Sequence, residues 1–410
     1  MTTLTINASR FLGDFEALSR IGATSQGGVN RPGLSQAHLE ARKWFRQCAS
    51  EAGLQFHTDG ASNHSAILRQ DGASKTLLLG SHLDSVPYGG RFDGALGVVA
   101  ALEVLRAVKE AGLRLPYHLE AIDFTDEESY HLDYFGSRAL AGFTTPEELK
   151  TPISGRDKFE AGLALGGLSE AGILSARRDP ASLTGYFELH IEQGPKLTSA
   201  NMQVGIVIAI TGIRSFHLLF HGKASHAGTT PMDDRQDAGL GASAFLLATR
   251  EIAMRATPDC VANVGDMRFT PGVLNVIPGL VETALEIRSI NDASMDTLEA
   301  ALLKQAQIEA ERFGLGLEIK PHSRVLSIHM DTHVRSLLIE SAQALGLRTM
   351  EMPSGAGHDA QILAQITKAG MIFVPSVGGV SHSPLEHTTE ADCVNGANVL
   401  LNAALHMAGN

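Results

Sequence analysis

Apolar residues recur at helical spacing in some stretches of this chain and gather into strand-length runs in others. Leu39, Trp44, Phe45 and Cys48 recur at helical spacing within a helix predicted over Leu34–Ala52, with Gly53 as its stop. Ser65–Arg69 and Thr76–Leu79 read as strands, and Leu96–Val108 as a buried helix ending near Gly112. His118–Phe124 and Gly185–Ile191 read as further strands. Strand–helix alternation of this kind predicts an α/β domain with a mostly parallel central sheet.

From about Thr211 to about His322 the rhythm changes. Ser215–His221 is a predicted strand, Asp233–Met254 a helix, Val261–Phe269 and Leu280–Ser289 strands, Ala293–Phe313 a helix and Leu317–Lys320 a last strand. That β-α-β-β-α-β order is the ferredoxin-like split unit. Afterwards α/β character resumes with helices at Thr332–Leu345, after Asp359 and near Val394–Met407, and a strand at Met371–Val374. The simplest organisation is an α+β domain, 211–322, inserted into a discontinuous α/β domain made of 1–210 and 323–410.

The chain has 410 residues, 44% hydrophobic and 19% charged, which excludes general disorder. Its formal net charge of −12 with no basic run argues against a nucleic-acid partner. No apolar run approaches the ~20 residues of a membrane span. The first residues, MTTLTINASRFLGDF, carry neither the basic flank nor the apolar core of a signal peptide. Cys48, Cys260 and Cys393 have no paired spacing and fit a reducing cytoplasm.

Chemistry-bearing residues stand at strand ends or beside glycines. His82 emerges from Leu77–Ser81, where open α/β sheets bind ligands, and Asp84 could hydrogen-bond its far nitrogen. Asp93, in Gly89-Gly-Arg-Phe-Asp-Gly94, is taken alone a helix N-cap. Glu127 and Glu128 follow the strand His118–Phe124; adjacent carboxylates repel unless a cation relieves them. His190 lies within an apolar strand, where a core histidine bonded to a carbonyl is the default. His382 follows a Gly378-Gly379 turn and alone would be a surface residue. Each plain reading is the better one singly. Together they make a His/carboxylate set without thiolate, suited to Zn²⁺, Mn²⁺, Co²⁺ or Ni²⁺. Five ligands exceed one tetrahedral site and fit two cations sharing a carboxylate, with Glu127 as general base.

Gly80-Ser-His-Leu-Asp-Ser-Val-Pro87, Gly89–Gly94, Asp126-Glu-Glu128, His190-Ile-Glu-Gln-Gly-Pro195, His226-Ala-Gly-Thr-Thr-Pro-Met232 and Ser354-Gly-Ala-Gly-His-Asp359 resemble the M20 metallopeptidase-like amidohydrolases. They are similar in particular to the hydantoinase/carbamoylase branch, which holds N-carbamoyl-L-amino-acid hydrolases, allantoate amidohydrolases and β-ureidopropionases. The resemblance implies that His82, Asp93, Glu128, His190 and His382 hold two divalent cations, with Asp93 bridging. It implies Glu127 as general base and Asp84 as the carboxylate orienting His82. Gln193, His226, Asn275 and Arg288 match substrate-contacting positions, and Gly357 a loop whose backbone faces the substrate. The inserted domain matches the branch's lid and dimerisation domain, whose His and Asn reach the partner subunit's active site in relatives. One departure is Ser129-Tyr130-His131, where the branch commonly has Gly and then Arg-Phe after the paired glutamates.

The residues themselves fit these roles. Arg288 ends an apolar strand and would hold a substrate carboxylate bidentately; the plain alternative is a salt bridge with Glu286 or Asp292. His226 could stabilise an oxyanion or simply serve a turn, and the plain alternative for Asn275 is an ordinary turn asparagine. The expected activity is hydrolysis of the carbamoyl C–N bond of an N-carbamoyl-L-amino acid, releasing ammonia, carbon dioxide and the amino acid, in a cytoplasmic homodimer. Competing expectations are allantoate or β-ureidopropionate as substrate, an aminopeptidase or dipeptidase on the same fold, and a silent binding protein. The last needs a damaged ligand set, which the sequence does not have.

Overall fold

Every residue from Ala95 to Val108 is buried, including Glu103 and Arg106. A helix apolar all round must sit inside a layered domain. Its buried carboxylate is compensated: Glu103 accepts from Arg10 Nε at 2.7 Å and from the Asn7 N–H at 3.0 Å. The computed structural model describes residues 3–256 and 259–407. The chain divides into Met1–Ile208 with Met330–Asn410, and Ala209–His329.

The first unit is a mixed α/β fold built on a mostly parallel central sheet. Four strands run parallel in the spatial order His118–Phe124, Thr76–His82, Leu183–Ile191 and Ala369–Val374. Antiparallel strands flank them: His64–Leu68 and Gln55–Thr58 on one side, Val204–Ile210 on the other. The strands Thr76–His82 and Ala369–Val374 are buried throughout, as strands covered on both faces must be. Helices Ala95–Glu110 and Glu390–His406 pack on this sheet and on each other. Helix Gln36–Glu51 starts at an N-cap, Ser35, whose side chain accepts from the His38 N–H. From it, buried Arg42 reaches Asp123 at 2.8 Å and Thr125 Oγ1 at 2.9 Å. Asp123 in turn accepts from the Leu83 N–H at 2.8 Å, which pins the backbone just after His82.

The second unit has the order strand Gly212–His221, helix Ala238–Ala256, strands Val261–Thr270 and Leu280–Ser289, helix Asp292–Arg312 and strand Gly316–Val325. Its antiparallel sheet runs Gly316–Val325, Gly212–His221, Leu280–Ser289, Val261–Thr270, the ferredoxin-like arrangement. Residues of Leu280–Ser289 alternate between buried and half-buried, as in a sheet with one face packed on helices.

Of the boundaries that differ from the sequence reading, three bear on the second unit. The helix expected from Asp233 starts at Ala238, because Arg235 is held by the carbonyls of Ala227 and Thr230 and Asp237 Oδ1 accepts from the Gly239 N–H. The strand expected over Leu317–Lys320 continues to Val325; Pro321 sits at a register shift, where proline is tolerated. The second compact unit spans Ala209–His329, against the 211–322 read from the sequence. Val204–Ile210, an apolar run the pattern did not assign, is a strand. The three cysteines are free and buried. Among the described residues no helix is long and apolar enough to cross a membrane.

Candidate metal centre

The C-terminal edge of the parallel strands delivers the candidate ligands of the first unit. His82 is the last residue of its strand and pairs with Phe124, the last of the neighbouring one. Asp126, Glu127 and Glu128 follow directly. His190 is paired with Phe373, from whose strand the chain runs on to His382. Asp93 lies between His82 and the buried helix. The edge of an open α/β sheet is where the ends of separate strands converge.

These side chains meet. His82, Asp93 and His190 form one group whose ligand atoms lie within 4.8 Å of one another, and Asp93, Glu128 and His382 form a second. Asp93 belongs to both. Its Oδ1 is 3.1 Å from His190 Nε2 and 3.5 Å from His82 Nε2, and its Oδ2 is 3.4 Å from His382 Nε2. Glu127 Oε2 is 3.5 Å from His82 Nε2, and Glu128 Oε2 is 3.7 Å from His382 Nε2.

The donor set fits a divalent cation. His190 Nδ1 faces the Ile191 carbonyl at 2.9 Å and His82 Nδ1 the Asp84 carbonyl at 3.1 Å. A carbonyl only accepts, so each Nδ1 carries a hydrogen and each ring, when neutral, turns its Nε2 lone pair inward. The Gly94 N–H, donating to His190 Nε2 at 3.2 Å, requires that lone pair. Lone pairs aimed at carboxylate oxygens repel unless a proton or a cation stands among them. Glu128 Oε1, buried and without a hydrogen-bond partner, is a further unused donor atom.

Electrostatics states the same conflict. Burial alone would depress His82 and His190. The surrounding acids, Glu127 foremost for His82 and Asp93 for His190, outweigh it and raise both. Burial and then the neighbouring carboxylates push Glu127 well up and Glu128 up to about 7, against the opposing pull of the histidines. His382 rises to about 9, chiefly through its contact with Asp93. A divalent cation supplies the compensating charge that these groups otherwise obtain from protons.

Local structure shows why these residue types stand here. Gly94 has φ +62°, and a Cβ on it would lie 2.3 Å from the His82 ring. Asp126, at φ +55°, accepts from the N–H groups of Tyr130, His131 and Leu132, fixing the turn after the paired glutamates. This clasp shapes the Ser129-Tyr130-His131 segment. Two single-residue readings change. The helix N-cap is Gly94 rather than Asp93, whose side chain is held by Gln193 Nε2 at 2.8 Å. The Asp84 carboxylate stands 3.8 Å from His82 Nδ1, farther than its own carbonyl. It accepts instead from the Glu127 and Glu128 N–H groups, both at 3.2 Å. Asp84 therefore orients the glutamate pair more directly than it orients His82.

Gln193 and Gly357 lie in the same unit. A Cβ at Gly357 would overlap the Tyr134 hydroxyl, so any larger residue there would have to displace that side chain. His226, Asn275 and Arg288 belong to the other unit. There His226 pairs with Val276 in a short antiparallel ribbon, and the Ala227 N–H donates to the Asn275 carbonyl, which brings His226 and Asn275 together. Arg288 Nε donates to Glu286 at 2.7 Å, the pairing its sequence context allowed.

The sequence reading missed two groups. His358, its ring centroid 4.5 Å from that of His190, hydrogen-bonds Ser354 Oγ, and with Glu188 and His190 forms a third cluster of ligand type. Glu386 holds the Asp93 backbone. The Gly-His-Asp sequence at 357–359 was a usable signal for the first; nothing local marks the second.

Comparison with known proteins agrees with this architecture. The profile of peptidase family M20/M25/M40 matches residues 78–406. An N-carbamoyl-L-amino acid amidohydrolase of Geobacillus stearothermophilus is 35% identical over 396 residues, 95% of this chain and 96% of the relative. An allantoate amidohydrolase of Bacillus subtilis is 31% identical over 403 residues, 96% of each chain. The crystal structure of an amidase of the hydantoinase/carbamoylase family from Burkholderia multivorans superposes with a TM-score of 0.91 at 33% identity, covering 99% of both chains. The chain belongs to peptidase family M20/M25/M40, within its hydantoinase/carbamoylase branch, and is an amidohydrolase.

Proposed function

We propose that the protein hydrolyses the carbamoyl C–N bond of N-carbamoyl-L-amino acids, using two divalent cations per subunit. The observation that carries this reading is the convergence of three imidazole Nε2 atoms and two carboxylates on either side of Asp93. His82, Asp93 and His190 would hold one cation, Asp93, Glu128 and His382 the other. Zn²⁺, Mn²⁺, Co²⁺ or Ni²⁺ there would polarise the scissile carbonyl and make water a nucleophile at neutral pH.

The protein's own residues do the rest. Glu127, buried beside His82 and outside both ligand groups, takes a proton from water and returns it to the leaving nitrogen. Asp84 fixes the Glu127 backbone through its N–H. Gln193 orients the Asp93 carboxylate and presents its Oε1, which has no hydrogen-bond partner, as an acceptor for a substrate N–H. The Gly357 backbone lines the substrate loop. Arg288 offers its guanidinium to the substrate carboxylate, His226 stabilises the developing oxyanion and Asn275 adds a hydrogen bond. The inserted unit serves as lid and dimerisation module in a cytoplasmic homodimer, a role its resemblance supports. Light scattering of active protein at a monomer mass would contradict the dimer.

Likeness to an N-carbamoyl-L-amino acid amidohydrolase supports the substrate class. Ammonia release from a panel of N-carbamoyl-L-methionine, N-carbamoyl-β-alanine, allantoate and a dipeptide, on cation-reconstituted protein, tests it. The carbamoyl-L-amino acid turns over fastest on this reading; faster turnover of allantoate or the dipeptide refutes it.

A further inference from the structure

Glu386 is 5% exposed and forms no ion pair with lysine or arginine among the described residues. A buried carboxylate needs other compensation. Its Oε1 accepts from two successive backbone N–H groups, Phe92 at 2.9 Å and Asp93 at 3.1 Å. Its Oε2 accepts from Ser381 Oγ at 2.8 Å. Ser381 precedes His382 and also stands 3.2 Å from Asp93 Oδ2. One side chain therefore joins the loop carrying Asp93 to the loop carrying His382, positions 289 residues apart in the sequence. Space is reserved for it: a Cβ on Gly90 would lie 2.0 Å from Glu386 Oε1.

We propose that Glu386 is a positioning residue that clamps the Phe92–Asp93 backbone to the Ser381–His382 loop and so fixes the Asp93 carboxylate between His190 and His382. The proposal rests on the metal reading above. Asp93 is the ligand common to both groups, so a shift of its backbone would misplace both at once. The serine has one hydrogen, and at 2.8 Å against 3.2 Å it goes to Glu386; Gln193 Nε2 then donates to Asp93 Oδ2 at 2.8 Å. Glutamine at 386 would keep an oxygen for the two N–H groups and present an amide to Ser381, whose hydrogen would turn to Asp93. Alanine would remove the clamp.

The test is competition of ion-free protein against a chromophoric chelator for Mn²⁺ and for Zn²⁺. Glu386→Ala is expected to weaken binding by ~10–100-fold, as loss of an outer partner does. Glu386→Gln is expected to restore most of that loss, with the urea midpoint of the ion-free chain unchanged. Should the alanine variant not fold, Gly90→Ala, which crowds the carboxylate without deleting it, must weaken binding likewise. Wild-type affinity in Glu386→Ala, or equal loss in Glu386→Gln and Glu386→Ala, overturns the clamp. Wild-type protein that binds neither ion overturns the metal reading itself.

Discussion

His190 Nε2 stands 3.1 Å from Asp93 Oδ1 while accepting the Gly94 N–H at 3.2 Å. The ring is oriented from behind by the Ile191 carbonyl, so its lone pair faces a carboxylate. Neither group is there for the apolar core, and each would be unfavourable without a positive partner. His82, held from behind by the Asp84 carbonyl, faces the same aspartate in the same way. The site is thus defined by what must stand among its members.

Glu127 has no place in either ligand group, which separates its chemistry from cation binding. Glu127→Gln keeps the size and the Asp84-bonded backbone. It should bind its cations as the wild type does and lose ~10²–10⁴ in kcat, the usual contribution of a general base. Cation content by mass spectrometry and steady-state rates check this. Unaltered kcat would remove Glu127 from its role.

Gly94 combines a left-handed φ of +62° with a ring 2.3 Å from any added Cβ. Gly94→Ala must therefore displace the His82 ring or the turn bearing Asp93. Cation affinity should fall by more than ~10-fold, since ligand geometry is what such sites depend on. Isothermal titration calorimetry reads the loss, and wild-type affinity would show the turn to be more yielding than its contacts imply.

Arg42 and Asp123 form a buried pair at 2.8 Å. Burial, with help from Asp84, already pushes Asp123 up to about 6 against the pull of Arg42. Arg42→Ala leaves that carboxylate buried without its partner and should destabilise the first unit by about 3–5 kcal/mol. Urea unfolding at pH 7 measures it; a change under about 1 kcal/mol would contradict the assigned role.

His38 is fully buried, and its Nδ1 accepts the Leu34 N–H at 2.9 Å. Burial first, and the charge of Arg42 next, hold it well below the ordinary imidazole range. The folded chain therefore keeps His38 neutral while the unfolded chain protonates it below pH ~6.5. Its contribution is complete above that pH and is lost as pH falls, at about 1.4 kcal/mol per unit. His38→Asn, which retains an acceptor, should flatten the decline in urea midpoint between pH 6.5 and 5. Equal slopes in the two proteins would refute the assignment.

Strand-end chemistry was legible in the sequence because period and punctuation mark it. Apolar runs ending at His82 and Phe124, and the glycines around Asp93, locate the parallel edge before any fold is known. The strand read as ending at Lys320 runs on to Val325, because Pro321 is tolerated at a register shift that forms only in the sheet. Asp84 was assigned to the histidine two residues before it, whereas the glutamate backbone more than forty residues on claims its carboxylate. Glu386 was invisible because its backbone N–H partners come from a loop 293–294 residues earlier in the chain. Interactions across such separations leave no local pattern, and these are the ones that set the geometry of the centre.

Anomalous diffraction from crystals soaked in Mn²⁺ or Zn²⁺ tests the central claim most directly. Two peaks are expected, one among His82, Asp93 and His190 and one among Asp93, Glu128 and His382, with Asp93 reaching both. A peak in neither place, or cations bound only elsewhere on the chain, would contradict the account.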